Sequence, residues 1–299
     1  MGKTLIFGAT GNLGGLTAAL LHESAADSLR VSTSREAGLS RLAKRFPQAE
    51  AVVCDWNDEE SAVAALNGVS RLLVVPPDMV TDENVVTPNI INAVRKAGTV
   101  EQIVRMLGMP PGFTLERAPQ AYVDTRCGAG LHVVAKHHLD ASGLPVTYVN
   151  VPAWIMFNLA LFVASDVKPR RRISMPADTD SERMWVSERD IAAVFARVLS
   201  DPVPDHIGRE LLLTSPDRHS YADVAALFSE VLGETVPYVD DDQALRASMG
   251  DAFDTMRTYL RCERGTYDDV PHDPAITELL GRPQETLRDY ITEHQGMFR

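Results

Sequence analysis

The sequence is short of the features that would tie it to an oxidising compartment, a membrane or a nucleic acid. Its three cysteines, Cys54, Cys127 and Cys262, are odd in number and far apart. They supply neither a disulfide framework nor a CxxC metal or redox pair, and read as reduced thiols of a cytoplasmic protein. No apolar run approaches the roughly 18–20 residues that cross a bilayer. One lysine precedes a glycine-rich turn, with no small-residue cleavage site, so no secretory signal is expected. Positive charge is scarce. The 29 Lys and Arg face 41 Asp and Glu, a net charge of −12, which argues against nucleic acid, because binding it means neutralising phosphates. The one dense basic run, KPRRR at 168–172, reads as an exposed loop. An anionic ligand would therefore have to be held by positive potential supplied locally.

Such a place exists at the start of the chain. In KTLIFGATGNLGGLTAALLHES, a near-continuous apolar run (4–7) reads as a central parallel strand covered on both faces. A helix is expected from about Asn12 to His22, with Leu13, Leu16, Leu20 and Leu21 toward the sheet. Gly8, Gly11 and Gly14 lie between strand and helix at the spacing of a dinucleotide-binding turn. Gly8 allows the tight turn, Gly11 lets backbone approach a pyrophosphate, and Gly14 lets helix pack on strand. The helix N-terminus directs unpaired amides and a positive dipole end at the phosphates. Thr10, Asn12 and Leu13 are the remaining candidates in this turn.

The second strand, near Leu29 to Thr33, is expected to decide which dinucleotide binds. An Asp or Glu at its end would meet a free ribose 2′-hydroxyl. Ser34 and Arg35 stand there instead, and an arginine can fork onto a 2′-phosphate, so NADP(H) is favoured over NAD. Strand register leaves open which of the two is the reader. A third strand ends at Cys54-Asp55, where Asp55 either caps the next helix or meets the adenine. A fourth ends at Val75 and Pro76, where two prolines turn the chain off the sheet. Fifth and sixth strands lie in VEQIVRMLGM and LPVTYVNVP, with helices at 58–67, 84–97 and 130–142. This alternation predicts an α/β fold with a doubly wound parallel Rossmann sheet.

The glycine turn, Gly143-Leu144-Pro145 with Thr147, Pro152, Asn158, Trp185-Val186, Asp190-Ile191-Ala192 and the tail LLGRPQETLRDYITEH occur together. With them the chain resembles the NmrA-like atypical short-chain dehydrogenases/reductases over nearly its whole length. The resemblance implies an NADP(H)-binding domain over residues 1–152, with a returning segment at about 184–215. It implies a smaller α+β substrate-cleft domain from 153–183 and 216–299. It also implies that PAWIMFN floors the cleft, with Trp154 and Phe157 as apolar walls and Asn158 as the polar member.

Ordinary short-chain dehydrogenases use a Tyr-x-x-x-Lys pair, the lysine lowering the tyrosine pKa for proton transfer. None of the seven tyrosines here has lysine four places on, and Leu107 stands where the family pattern suggests serine. The replacement is expected on the helix LHVVAKHHLDASG. His132 falls where relatives carry lysine or histidine, and Lys136 where they more often carry an acid. A helical wheel sets His132 and Lys136 together at a polar edge, with His138 within the apolar face and His137 solvated. His132 suits proton transfer at neutral pH. Tyr122 could reach over the nicotinamide. The histidines point apart and no carboxylate completes coordination, so no metal is expected.

These residues leave three functions open: an NADPH-dependent reductase of a small apolar acceptor (quinone, enone, dye or iminium), a redox-neutral biosynthetic enzyme on the same scaffold, or a non-catalytic NADP(H)-sensing regulator. The expected partners are a small molecule and, in a possible homodimer, a second copy; neither nucleic acid nor membrane is expected.

Overall fold

Short runs of apolar and β-branched residues, each followed by a helix, build the central sheet. The structure is a computed structural model that describes residues 2–299. Its strands are β1 (Lys3–Phe7), β2 (Leu29–Thr33), β3 (Glu50–Val53), β4 (Val69–Val74), β5 (Gln102–Leu107) and β6 (Val146–Asn150). A seventh strand, Glu210–Leu212, extends one edge, and the order across the sheet is Glu210–Leu212, β6, β5, β4, β1, β2, β3. All neighbours run parallel. The order reverses between β1 and β4, and in such sheets the ligand crevice opens there, beyond the carboxyl ends of the strands.

Helices cover both faces, which is why β2, β5 and β6 are buried throughout. One face packs against helices Glu59–Ala65, Glu83–Ala97 and Ala129–Asp140, the other against Asn12–Ala25, Leu39–Arg45 and Glu188–Ser200. In the first helix Leu13, Thr17, Ala18 and Leu21 face inward. Leu20, expected to join them, is exposed. Asp58 and Asp82 cap their helices by accepting from the amides of Glu60 and Asn84.

A second apolar core gathers Trp154, Trp185, Tyr221, Phe228, Leu260 and Phe298. Around it lie a three-stranded sheet (Arg218–His219, Arg183–Val186, Trp154–Ile155) and a two-stranded one (Tyr238–Asp240, Ile173–Met175). The tail is tied back across the molecule. Buried Asp190 accepts from the Glu285 amide at 2.8 Å and pairs with Arg282 at 2.7 Å. Ile276 joins the core under the glycine turn, a return of the chain that the sequence pattern does not announce. Among the described residues no helix is long and apolar enough to cross a membrane.

Candidate functional site

The glycine turn has the geometry its spacing predicts. Gly8 sits at φ +86°, and a Cβ there would lie 2.7 Å from the Val75 carbonyl. A Cβ on Gly14 would lie 2.4 Å from the Gly8 carbonyl, so the helix packs against the turn at a distance only glycine permits. The space in front is a groove of about 660 Å³. Gly8, Thr10, Gly11, Asn12, Leu13 and Gly14 floor it, Ser34 and Arg35 close one end, and Val75 and Pro76 flank the other. Arg35 is exposed, and no ion-pair partner for it occurs among the described residues. The Thr33 hydroxyl accepts its backbone amide at 3.4 Å. A turn that excludes a Cβ at Gly8 and Gly14, a helix N-terminus and an unpaired arginine fit the diphosphate and 2′-phosphate of NADP(H).

Two residues are not where the sequence reading sets them. Asp55 does not line the groove; its carboxylate accepts from the Asn57 backbone and side-chain amides at 3.0 and 2.9 Å, stabilising a turn. Cys54 lines it instead, its thiol pushed up to about 12 by burial. Phe157, two residues beyond the strand Trp154–Ile155, lines this groove rather than the inner cavities.

Behind the groove, between the two cores, lie cavities of about 110 and 320 Å³. Trp154, Asn158 and Tyr259 line both, and the larger is otherwise rich in methionine (Met79, Met249, Met256). In the smaller, the Trp154 indole donates to Glu263 at 2.6 Å, and Glu263 pairs with Arg183 at 3.3 Å. Both members are buried, so removing one would strand the other's charge at about 3–5 kcal/mol. The Tyr267 hydroxyl donates to the Gly108 carbonyl at 2.9 Å. Asp78 lines all three spaces. Asp78 is itself exposed to solvent at this junction. Desolvation by the surrounding walls pushes its carboxyl up to about 6 against the opposing Gly128 amide, the Cys127 thiol and Arg105, and water at the junction screens part of that push.

The helix Ala129–Asp140 carries the expected catalytic candidates. It buries Leu131, Val134, Ala135 and Leu139 and exposes His137 as the helical wheel predicts, and departs from it at His132 and His138. His132 is buried, at 4% exposure, over Gly108 in the wall of the smaller cavity. Its Nδ1 has no hydrogen-bond partner. Burial, aided by the Arg105 charge, holds its pKa well below the ordinary histidine range, so the ring is neutral at neutral pH and has no extra proton to give. His138 is half-buried, beside Asn84 Oδ1 at 3.3 Å. Lys136 lies outside these cavities, bonded to Asp140 at 2.8 Å and over the Tyr148 ring. The two candidates do not share the cleft, because the first turn of the helix is wedged under the Tyr259–Tyr267 segment while the last emerges at the sheet edge. Tyr122 is buried against Phe113 and Tyr259 and lines none of these spaces. The 168–172 run is helical up to Arg170. Arg170, Arg171 and Arg172 pair with Asp166, Glu234 and Asp241.

Sequence reasoning missed Asp78, Tyr259, Glu263 and Tyr267. Asp78 follows the two prolines that end a strand at the switch point, a signal that could have found it. The others reach the cleft only through long-range packing.

Nearly the whole chain aligns with solved structures of proteins named for different roles. The triphenylmethane reductase of Citrobacter sp. is 21% identical, with a TM-score of 0.80 over 99% of this chain and 100% of that one. An NADPH-dependent quinone oxidoreductase from Escherichia coli, solved with NADPH, is 22% identical, with a TM-score of 0.78 over 98% and 99%. NmrA, a negative transcriptional regulator solved with NADP, is 16% identical, with a TM-score of 0.75 over 98% and 95%. At these identities the likeness establishes the fold. Comparison with curated protein sequences returns no match. The sequence profile of the NmrA-like family matches residues 1–255. On that match and that fold, the chain belongs to the NmrA-like family.

Proposed function

We propose that this chain is an NADPH-dependent reductase that passes a hydride to a small, flat, apolar acceptor of the quinone, enone, dye or iminium kind. The observation that carries this reading is the junction at Asp78, where a groove fitted to NADP(H) opens into an apolar, aromatic pocket. Two of the aligned structures belong to NADPH-dependent or dye-reducing enzymes, which supports the reading. When bound, NADPH supplies the hydride from its nicotinamide ring. The amides of the glycine turn hold the diphosphate, and Arg35, with Ser34 beside it, pairs with the 2′-phosphate. Val75, Pro76 and Ile155 confine the ring at the inner end, and Trp154, Asn158 and Tyr259 orient the acceptor and exclude water. His132, neutral, acts by shape and by a hydrogen bond rather than by giving up an imidazolium proton.

The test is NADPH oxidation by the purified protein against quinones, enones and triarylmethane dyes, followed at the nicotinamide absorbance. Turnover with NADPH, faster than with NADH, is the expected outcome. A second reading is favoured by one observation: without a Tyr-x-x-x-Lys pair, and with its histidine neutral and buried, the site is sparse in proton donors, as suits an NADP(H)-sensing regulator. Tight NADPH binding without turnover on every acceptor would select that reading.

A further inference from the structure

We infer that Asp78 is the proton donor that completes the two-electron reduction of a quinone-like acceptor in this cleft, an inference that rests on the reductase reading. Asp78 belongs to the cofactor groove and to both inner cavities, so its carboxyl borders the space where cofactor and acceptor must meet. Its position is fixed from two sides. Pro76 and Pro77 stiffen the chain before it. The Gly128 amide donates to Oδ1 at 3.1 Å, and the next amide, Met79, donates to the Arg126 carbonyl at 2.6 Å. Met79 and Arg126 both stand in the left-handed region, at φ +66° and +51°. Two non-glycine residues held there at one contact mark a segment whose conformation the fold over-determines.

The other ionisable groups facing this space are poorer donors. Glu263 is committed to Arg183 and Trp154. His132 is neutral, and burial drives the Cys127 thiol and the Tyr259 and Tyr267 hydroxyls well above their ordinary ranges. Arg105, on β5, is paired with Glu83 and does not release a proton. Asp78 alone among them both carries a proton and releases it near pH 6, near the value at which an acid works best in neutral solution. The step balances as follows. The acceptor gains a hydride with both electrons of the cofactor C–H bond and is reduced, while the cofactor is oxidised. The O–H bond of Asp78 breaks, and its proton bonds to the acceptor oxygen that has taken up negative charge. The carboxylate recovers a proton from water at the cleft mouth.

A triarylmethane cation takes a hydride on carbon and needs no proton, so the pair of acceptors isolates the step. In Asp78→Asn, the quinone kcat at pH 6 is expected to fall by about a hundredfold, and the dye kcat by no more than about threefold, since only the first loses general-acid catalysis. The wild-type quinone kcat should decline as pH rises through about 6, and the variant should lack that limb. Independently of turnover, ¹³C NMR of aspartate-labelled protein without cofactor should show a carboxyl titrating near 6 that is missing from the variant. Equal losses on both acceptors, an unchanged quinone kcat, or no such titration would overturn the proposal while leaving the reductase reading intact. Wild-type protein that turns over neither acceptor would overturn both.

Discussion

The groove and the inner pocket are built in opposite ways, although one carboxylate joins them. The groove is local: its glycines, its phosphate-facing helix and Arg35 come from the first 35 residues, and its geometry follows from what glycine alone tolerates. The pocket is global: Gly108, His132, Trp154, Arg183, Tyr259 and Glu263 are spread over more than half the chain and meet because two cores pack together. The groove keeps a charge free for an anion. The pocket pairs nearly every charge it buries, leaving Asp78 as the group whose protonation changes near working pH. A scaffold of this kind can hold its cofactor end constant while the acceptor end varies.

The largest effect should come from the groove. Gly14→Ala sets a Cβ 2.4 Å from the Gly8 carbonyl, so turn and helix must separate. A shift of this size should weaken NADPH binding by about a hundredfold or more, and overpacking should lower stability by about 1–3 kcal/mol, read by calorimetric titration and thermal melts. Next, Arg35→Ala should raise the NADPH Kd by about tenfold, as expected for losing hydrogen bonds to a charged group, and leave the NADH Kd nearly unchanged. Equal weakening of both would remove the arginine from 2′-phosphate recognition.

The pocket should respond more quietly. The folded carboxyl of Asp78 keeps its proton to about pH 6, and the unfolded one only to about 3.8. Between these values the native state binds more protons than the unfolded state, so this group makes stability fall as pH rises and is unfavourable above about 6. Asp78→Asn should therefore raise the Tm at pH 7.5, with the gain fading as pH drops toward 4. A gain of equal size at pH 4 would contradict the assigned titration. Smallest of all, His132→Ala should reduce kcat a few-fold without loosening NADPH. The pH profile between 6 and 8 should keep its shape, because a ring already neutral there contributes no ionisation.

What the sequence discloses divides along the same line. The strand that ends at Phe7 and the helix that starts at Asn12 are local events, and their residues carry the information. Leu20 shows the first loss: its spacing fits the inward face, yet it lies exposed at that face's margin, with Thr17, Ala18 and Leu21 buried. His132 and His138 show the larger one. Periodicity assigns the buried stripe of Ala129–Asp140 by residue type, but a second domain covers the first turn and not the last, so the histidine at the polar edge is buried and the one on the apolar face is not. Lys136 has three partners outside the cleft, Asp140, Glu210 and the Tyr148 ring, none visible from spacing alone. Asp190 is an intermediate case: it and its partners Glu285 and Arg282, some 95 residues on, are among the residues that carry the family resemblance, but nothing in the pattern announces that they meet.

The most direct test of the account follows the hydride itself. With NADPH deuterated at the transferable nicotinamide position and an acceptor that is reduced on carbon, the product should carry one deuterium on that carbon. A reduced product without the label would contradict direct transfer across the junction at Asp78.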